Sequence, residues 1–439
     1  MAQISGFGAR GLNSRAAWVV LLAGSLLLAG CVSSNRSKPP RKTAKASTPP
    51  AERVYEADLP SPDAPQAPVP AYAGAPAPGP AYGGSASGGM TIGSGPVKVA
   101  LLLPLSSQGQ GAVVAQSMRN AADLALSEFQ STELTVLVKD DRGTPEGARD
   151  AASQALAEGA ELIIGPLFAG SVQAAGQVAR QTGKPIIAFS TDASVATRGV
   201  YLLSFLVQAE VDRIVSFAAS QGRRSIAAMI PETTYGRVAE AQLQQAASEQ
   251  GLRTVAIERY PAGQPQGAVQ RLARVIGGPS PQADLLFLPE NGDGLPAVGQ
   301  ALAGIGFNPQ QVKPLGTGVW NEARVFGIPA LQSGWFAAPD NRGFTAFAAR
   351  YRARFNTDPV RLATLSYDAV TLAAALARMQ GAQHFTPDVL TNPAGFAGAD
   401  GVFRFNPNGT NDRALAVQEI RNGTAAMISG PPRTLVANN

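Results

Sequence analysis

Residues 97–104 read Val-Lys-Val-Ala-Leu-Leu-Leu-Pro, an apolar run of strand length with one charge near its start. A strand buried on both faces carries that signature, which predicts the interior of a parallel sheet. Apolar residues then recur at helical spacing over 112–129, at Val113, Ala121, Leu124, Ala125 and Phe129. A second run, 134–138, closes on Asp140-Asp141, a pair that reads as a solvated strand end. Thr144 and Pro145 suit the cap and first turn of a helix over 144–157. The runs 161–166 and 185–190, with a helix between them, continue the alternation. Strands alternating with helices of about 10 to 18 residues predict a parallel sheet with right-handed crossovers.

The rhythm restarts after Tyr201-Leu202-Leu203. A helix is predicted over 208–221, a strand over 225–230, a loop over 231–236, then a helix and a strand over 252–260. Further buried strands fall at 283–290 and 313–318. Two α/β lobes, each a doubly wound parallel sheet of about 120 to 150 residues, account for this part of the chain. Open sheets of this kind bind ligands at the carboxyl ends of their strands, and two such edges facing each other make a cleft.

Residues 32–95 are a different material, holding 12 of the 34 prolines and almost no large aliphatic side chains. Such a segment buries too little apolar surface to offset ordering, so residues 31–96 are expected to form a disordered tether. As a coil it would span about 45 Å, and fully extended about 200 Å. Ahead of it stand Arg10 and Arg15, an apolar stretch over 16–28, and Leu28-Ala29-Gly30-Cys31, which ends in the only cysteine. The pattern predicts a secretory signal over 1–30, too short for a helix that needs about 20 apolar residues to span a bilayer. The last four residues resemble the bacterial lipobox, which implies lipidation at Cys31 and a membrane anchor. Val32 in place of an aspartate implies, by the same resemblance, the outer membrane facing the periplasm.

Composition narrows the chemistry. Losing residues 1–30 removes two arginines and no acid, so the formal charge falls from +5 to +3. No stripe of aromatic and basic residues supports nucleic-acid binding. With one histidine, His384, and no cysteine in the folded part, zinc-type metal sites are excluded and a Ser-His-acid triad would have to use His384. His384 lies between Gly and Pro after a helix and reads as a surface-loop residue. Gly109-Gln110-Gly111 lacks the third glycine of a dinucleotide fingerprint, so no cofactor is expected. A non-enzymatic binding protein is the reading that fits, although a carboxylate pair such as Asp192 and Glu290 stays open as wall-fragment chemistry.

Several strings, in this order and spacing, resemble type I periplasmic binding proteins over about residues 97–430: Leu102-Leu103-Pro104-Leu105-Ser106, Ile163-Ile164-Gly165-Pro166-Leu167, Pro185-Ile186-Ile187-Ala188-Phe189-Ser190, Tyr235-Gly236, Ser366-Tyr367-Asp368 and Gly401-Val402-Phe403. The resemblance implies two lobes, 97–206 with 341–398 and 207–340 with 399–439. Within the superfamily the strings look most like outer-membrane lipoprotein activators of penicillin-binding proteins. That implies a regulator of peptidoglycan synthesis with a penicillin-binding protein as partner; the alternative is a receptor for amino acids or related small solutes. The implied cleft residues are Ser106, Ser107, Leu167, Ser171, Ser190, Thr191 and Asp192 from one lobe. The other contributes Tyr235, Glu290 and Trp320, the two aromatic rings either stacking on a ligand or capping the sheet edge. The clamp for a ligand carboxylate matches Ala169 and Asp192, or Ser171 and Thr191 if the alignment slips. Solvated loop ends with no ligand are the plainer alternative.

Overall fold

The structure is a computed structural model of the 439-residue chain and describes residues 90–379, 383–432 and 435. Cys31, the signal segment and residues 32–89 of the expected tether lie outside the described residues.

The first sheet contains β1 (Met90–Gly93), β2 (Val97–Leu103), β3 (Leu134–Asp140), β4 (Leu162–Ile164), β5 (Ile186–Ala188) and β6 (Val200–Leu202), ordered β1-β3-β2-β4-β5-β6. All its pairings are parallel except β1 with β3. Met90–Gly93 thus belongs to the folded lobe and not to the tether: it pairs with Thr135 to Val138 and supplies an antiparallel edge. The helices α1 (Gln110–Phe129), α2 (Pro145–Ala157) and α3 (Ala169–Thr182) join these strands.

The apolar run of β2 divides as its period of two requires. Val99, Leu101 and Leu103 enter one core, and Ala100 and Leu102 enter the core on the opposite face. Each buried leucine contributes roughly 2 kcal/mol relative to exposure. The Thr144 side chain accepts from Gly147 N and Pro145 opens α2, as the sequence indicates.

The second sheet follows the helix α4 (Val207–Ser220). It contains β7 (Ser225–Pro231), β8 (Arg253–Tyr260), β9 (Leu285–Phe287), β10 (Lys313–Gly316) and β11 (Trp335–Ala338), with helices α5 (Thr234–Glu249), α6 (Gln266–Ile276), α7 (Leu295–Gly304) and α8 (Ala323–Phe326). The chain then returns to the first lobe as α9 (Asn341–Phe355), α10 (Ala363–Met379) and α11 (Pro387–Leu390). α10 is apolar nearly all round and is accordingly buried over almost its whole length.

A small sheet of β12 (Phe396–Gly398), β13 (Gly401–Phe405) and β14 (Asn411–Arg413) comes next. Finally β15 (Ala416–Arg421) and β16 (Thr424–Ser429) complete the second sheet, ordered β16-β15-β11-β10-β9-β7-β8. The family resemblance implies that the chain leaves the first lobe after residue 398. Phe403 and Phe405 pack into the first lobe's core beside Tyr201 and Phe396, so the chain stays there until Arg413.

Three segments therefore cross between the lobes: 203–206, 339–340 and 414–415. Charge is buried beside two of them. Arg413 Nε donates to Ser204 O at 3.1 Å, and the guanidiniums of Arg361 and Arg413 lie 5.2 and 4.8 Å from the centre of the Phe205 ring. Asp368 and Asp400 stand opposite these cations; burial pushes the Asp368 carboxyl up to about 7 against the pull of Arg413.

Candidate functional site

The loops at the carboxyl edge of the first sheet are built mostly by short-range bonds. Ser107 Oγ donates to Pro104 O at 2.7 Å, three residues back. Ser106 is exposed, and its N–H donates to Asp140 Oδ1 at 3.2 Å, where Arg142 N also donates at 2.9 Å. Asp141 is not the solvated strand end expected of it. It is fully buried, its Oδ1 accepts from Gly143 N at 2.8 Å, and burial raises its carboxyl to about 6.

After β4 the backbone passes through Gly165 at φ 88°, a left-handed conformation that favours glycine. A Cβ there would stand 2.2 Å from Leu102 O, so β4 leaves the sheet in direct contact with β2. Leu167 is half-buried and Phe168 is 42% exposed. α3 then starts at Ala169 with no side-chain cap on its first N–H groups. Such a helix start favours a negative group. Ser171 is only 1% exposed, and its Oγ has no hydrogen-bond partner among the described residues.

After β5, buried Ser190 accepts from Asp192 N at 3.1 Å, Thr191 is exposed, and Asp192 Oδ1 accepts from Ser194 N at 2.9 Å. The Asp192 carboxylate is thus engaged in capping its own 3₁₀ turn, Ala193–Val195.

The facing lobe is built by bonds between distant residues. Tyr235, in the first turn of α5, shares a hydrogen bond of 2.6 Å with Thr317 Oγ1 beyond β10. Next to Thr317, Gly318 N donates to Glu210 Oε2 at 2.9 Å. Glu210 stands in the first turn of α4, and burial pushes its carboxyl up to about 8, so it is protonated at neutral pH. Burial, with Glu210 nearby, raises the Tyr235 phenol as well. Buried Glu290, after β9, accepts from Tyr260 OH at 2.8 Å and from Asn291 N at 2.9 Å.

Trp320 lies over Gly316 at the end of β10, where a cap on the sheet edge would stand, and is not open to a ligand. It is fully buried, its Nε1 donates to Leu288 O at 3.1 Å, and its ring meets Phe336, so it is a core residue and no ligand platform. His384 is likewise no surface residue: it is buried at the amino-terminal end of the first sheet, with Nε2 3.4 Å from Glu161 Oε2.

The structure thus joins Tyr235 to Thr317, Gly318 and Glu210, and it pairs Glu290 with Tyr260. It places Ser106, Ser107, Leu167, Ser171, Ser190, Thr191 and Asp192 along one sheet edge. Glu210 and Thr317 went unnoticed in the sequence. An acid in a first helical turn is ordinary, and the one local hint at Thr317 is its place between two glycines. Among the described residues, no three His, Cys, Asp or Glu side chains gather to hold a metal ion, and no helix is long and apolar enough to cross a membrane.

Comparison with known proteins agrees with this architecture. A family model described as periplasmic binding protein matches residues 96–425. A protein assigned to a branched-chain amino acid ABC transporter of Rhodospirillum rubrum superposes with a TM-score of 0.67 at 18% identity, covering 76% of this chain and 99% of that one. A branched-chain amino acid transporter substrate-binding protein of Streptococcus pneumoniae, in complex with isoleucine, gives 0.55 at 18% identity over 76% and 99% of the two chains. A solute-binding protein of an ABC transporter from R. palustris, in complex with benzoate, gives 0.55 at 18% identity over 78% and 98%. No curated protein matches the chain.

Proposed function

The chain belongs to the periplasmic binding protein family, and on that premise we propose that it is a receptor for a small carboxylate held between its lobes. The observation that carries this reading is the uncapped start of α3 at Ala169, at the carboxyl edge of the first sheet. A helix start with free N–H groups is a ready site for a carboxylate. Isoleucine and benzoate, held by two similarly folded proteins, share a carboxylate and little else. The Asp192 carboxylate, turned into its own cap, does not oppose such a ligand. From the other lobe half-buried Tyr235, its hydroxyl fixed by buried Thr317, is offered to the rest of the molecule. Binding of this kind requires no bond to be made or broken, and the family name supports a periplasmic address.

The test is thermal melting of the full chain with isoleucine, benzoate and 3,4-dihydroxybenzoate, each against a neutral counterpart such as isoleucinol or benzamide. A ligand at 100 times its Kd adds about 2.7 kcal/mol of stability. At least one carboxylate raises the melting temperature, its neutral counterpart does not, and Tyr235→Phe weakens the response. A flat response to the whole panel overturns the proposal. The lipobox-like string at Cys31 and the Pro-rich segment after it favour a second reading, a tethered regulator of a peptidoglycan synthase. A flat panel together with co-purification of a bifunctional penicillin-binding protein moves the conclusion there.

A further inference from the structure

A cavity of about 320 Å³ opens in the first lobe at the end of the sheet opposite the cleft, and its lining includes Glu161, Arg180, Lys184, Arg198, His384 and Phe385. Glu161 precedes β4, Lys184 precedes β5 and Arg198 precedes β6, so these residues sit where the parallel strands begin. Three cations face one carboxylate, a net charge of +2 with His384 neutral. Among the described residues the side chains of Arg180, Lys184 and Arg198 make no ion pair or hydrogen bond. Arg180 stands in the last turn of α3, where the helix dipole accounts for a cation. Lys184 is half-buried and Arg198 exposed at the mouth of the cavity.

Both of those lie on pinned backbone. Lys184 N donates to Ala179 O at 3.0 Å, and Thr197 and Val200, on either side of Arg198, exchange hydrogen bonds of 3.2 and 2.8 Å. The second observation is His384 itself. It is 5% exposed, neither ring nitrogen has a hydrogen-bond partner among the described residues, and Nε2 has only the Glu161 carboxylate, at 3.4 Å. Buried polar groups are as a rule bonded, and one left open toward a cationic cavity marks a place for an acceptor.

We propose that this cavity, with Arg180, Lys184, Arg198 and His384, binds a compact anion bearing phosphoryl or carboxylate oxygens, at a site separate from the interlobe cleft. Its volume lies at the small end of ligand pockets and suits an anion the size of phosphate or citrate. Guanidinium forks and a lysine ammonium match such oxygens, and His384 donates from whichever nitrogen carries the proton.

The chain's single histidine makes the test direct, because every imidazole NMR signal of the full chain, prepared without a histidine tag, comes from His384. Sodium phosphate and sodium citrate are titrated separately at fixed pH, with chloride holding ionic strength constant. At least one anion moves the His384 signal along a saturating curve. Arg198→Ala and Lys184→Ala, both on the surface side of the cavity, each weaken that binding about tenfold, while Tyr235→Phe leaves it unchanged. Saturation with phosphate alone assigns a phosphoryl ligand, and with citrate alone a carboxylate. No saturating movement with either anion, movement unaltered in both cavity variants, or movement abolished by Tyr235→Phe each overturns the proposal.

Discussion

The two edges that face the cleft are made rigid by different means. On the first lobe the side chains bond mostly within their own loop: Ser107 to Pro104, Asp192 to Ser194, and Asp140 to Arg142, with Asp140 also accepting from Ser106 N, 34 residues earlier. What is left for a ligand there is the uncapped start of α3 and, beside it, the Ser171 Oγ without a partner among the described residues. On the second lobe the bonds join residues far apart in the chain: Glu210 to Gly318, Tyr235 to Thr317 and Tyr260 to Glu290, separated by 108, 82 and 30 residues. That edge is cross-linked, by two side-chain pairs and by the Gly318 N–H holding the Glu210 carboxyl. On the proposed function, one lobe would offer a general anchor for a charged group and the other a shaped surface, a division that suits ligands sharing one functional group.

If the first edge is built by backbone, the largest loss there comes from a single added Cβ. Gly165→Ala combines a left-handed φ with a contact of 2.2 Å to Leu102 O, and the expected cost is about 3–5 kcal/mol of unfolding free energy in urea. Gly183→Ala is the control, because φ is also positive, at 67°, and nothing lies within 4 Å of the new atom. Its cost is about 1 kcal/mol, from strain alone. Equal losses in the two variants show that the approach of β4 to β2 does not hold the edge.

The second comparison uses pH. Glu210 has its carboxyl raised in the folded state to about 8, against 4.5 in the unfolded chain. The native state then holds the extra proton between those values, so stability falls as pH rises through the window, by up to about 1.4 kcal/mol per pH unit. Glu210→Gln keeps the acceptor for Gly318 N and removes the titration. Denaturation from pH 5 to pH 8 is expected to give a flatter profile for the variant, which becomes the more stable of the two at pH 8. Asp141 and Asp368, raised to about 6 and about 7, supply the slope that persists. Parallel profiles disprove a buried, protonated Glu210.

The same division explains what could be read from the sequence. Local signals worked at the apolar run of β2 and at Thr144 with Pro145 at the start of α2, whereas the loop expected over 231–236 ends at Thr233 and Tyr235 stands in the first turn of α5. Contacts across long separations did not show. Trp320 read equally as a ring stacking on a ligand or as a cap on the sheet edge, and only the contact with Leu288 places it in the core. Phe403 and Phe405 carry an alternating pattern that any sheet would satisfy, and only packing against Tyr201 and Phe396 assigns them to the first lobe. Met90–Gly93 follows a Gly- and Ser-rich stretch, so its four residues read as tether until β3 supplies a partner. His384 sits among loop residues whose burial depends on strands more than 180 positions earlier.

The smallest expected effect is the one that bears most closely on the ligand. Asp192 is exposed, and its carboxylate accepts from Ser194 N at 2.9 Å. Asp192→Ala removes that cap, at a cost of about 0.5–1 kcal/mol. If the carboxylate faces its own turn, the variant binds a small carboxylate with unchanged affinity. If instead it stands beside the bound ligand, removing it relieves repulsion between two like charges and binding tightens. Calorimetric titration of wild type and variant with a carboxylate that raises the melting temperature separates the two cases. Unchanged affinity with slightly lower stability keeps the first lobe as a backbone anchor; a tighter complex makes Asp192 a selectivity group set against the very charge the helix start attracts.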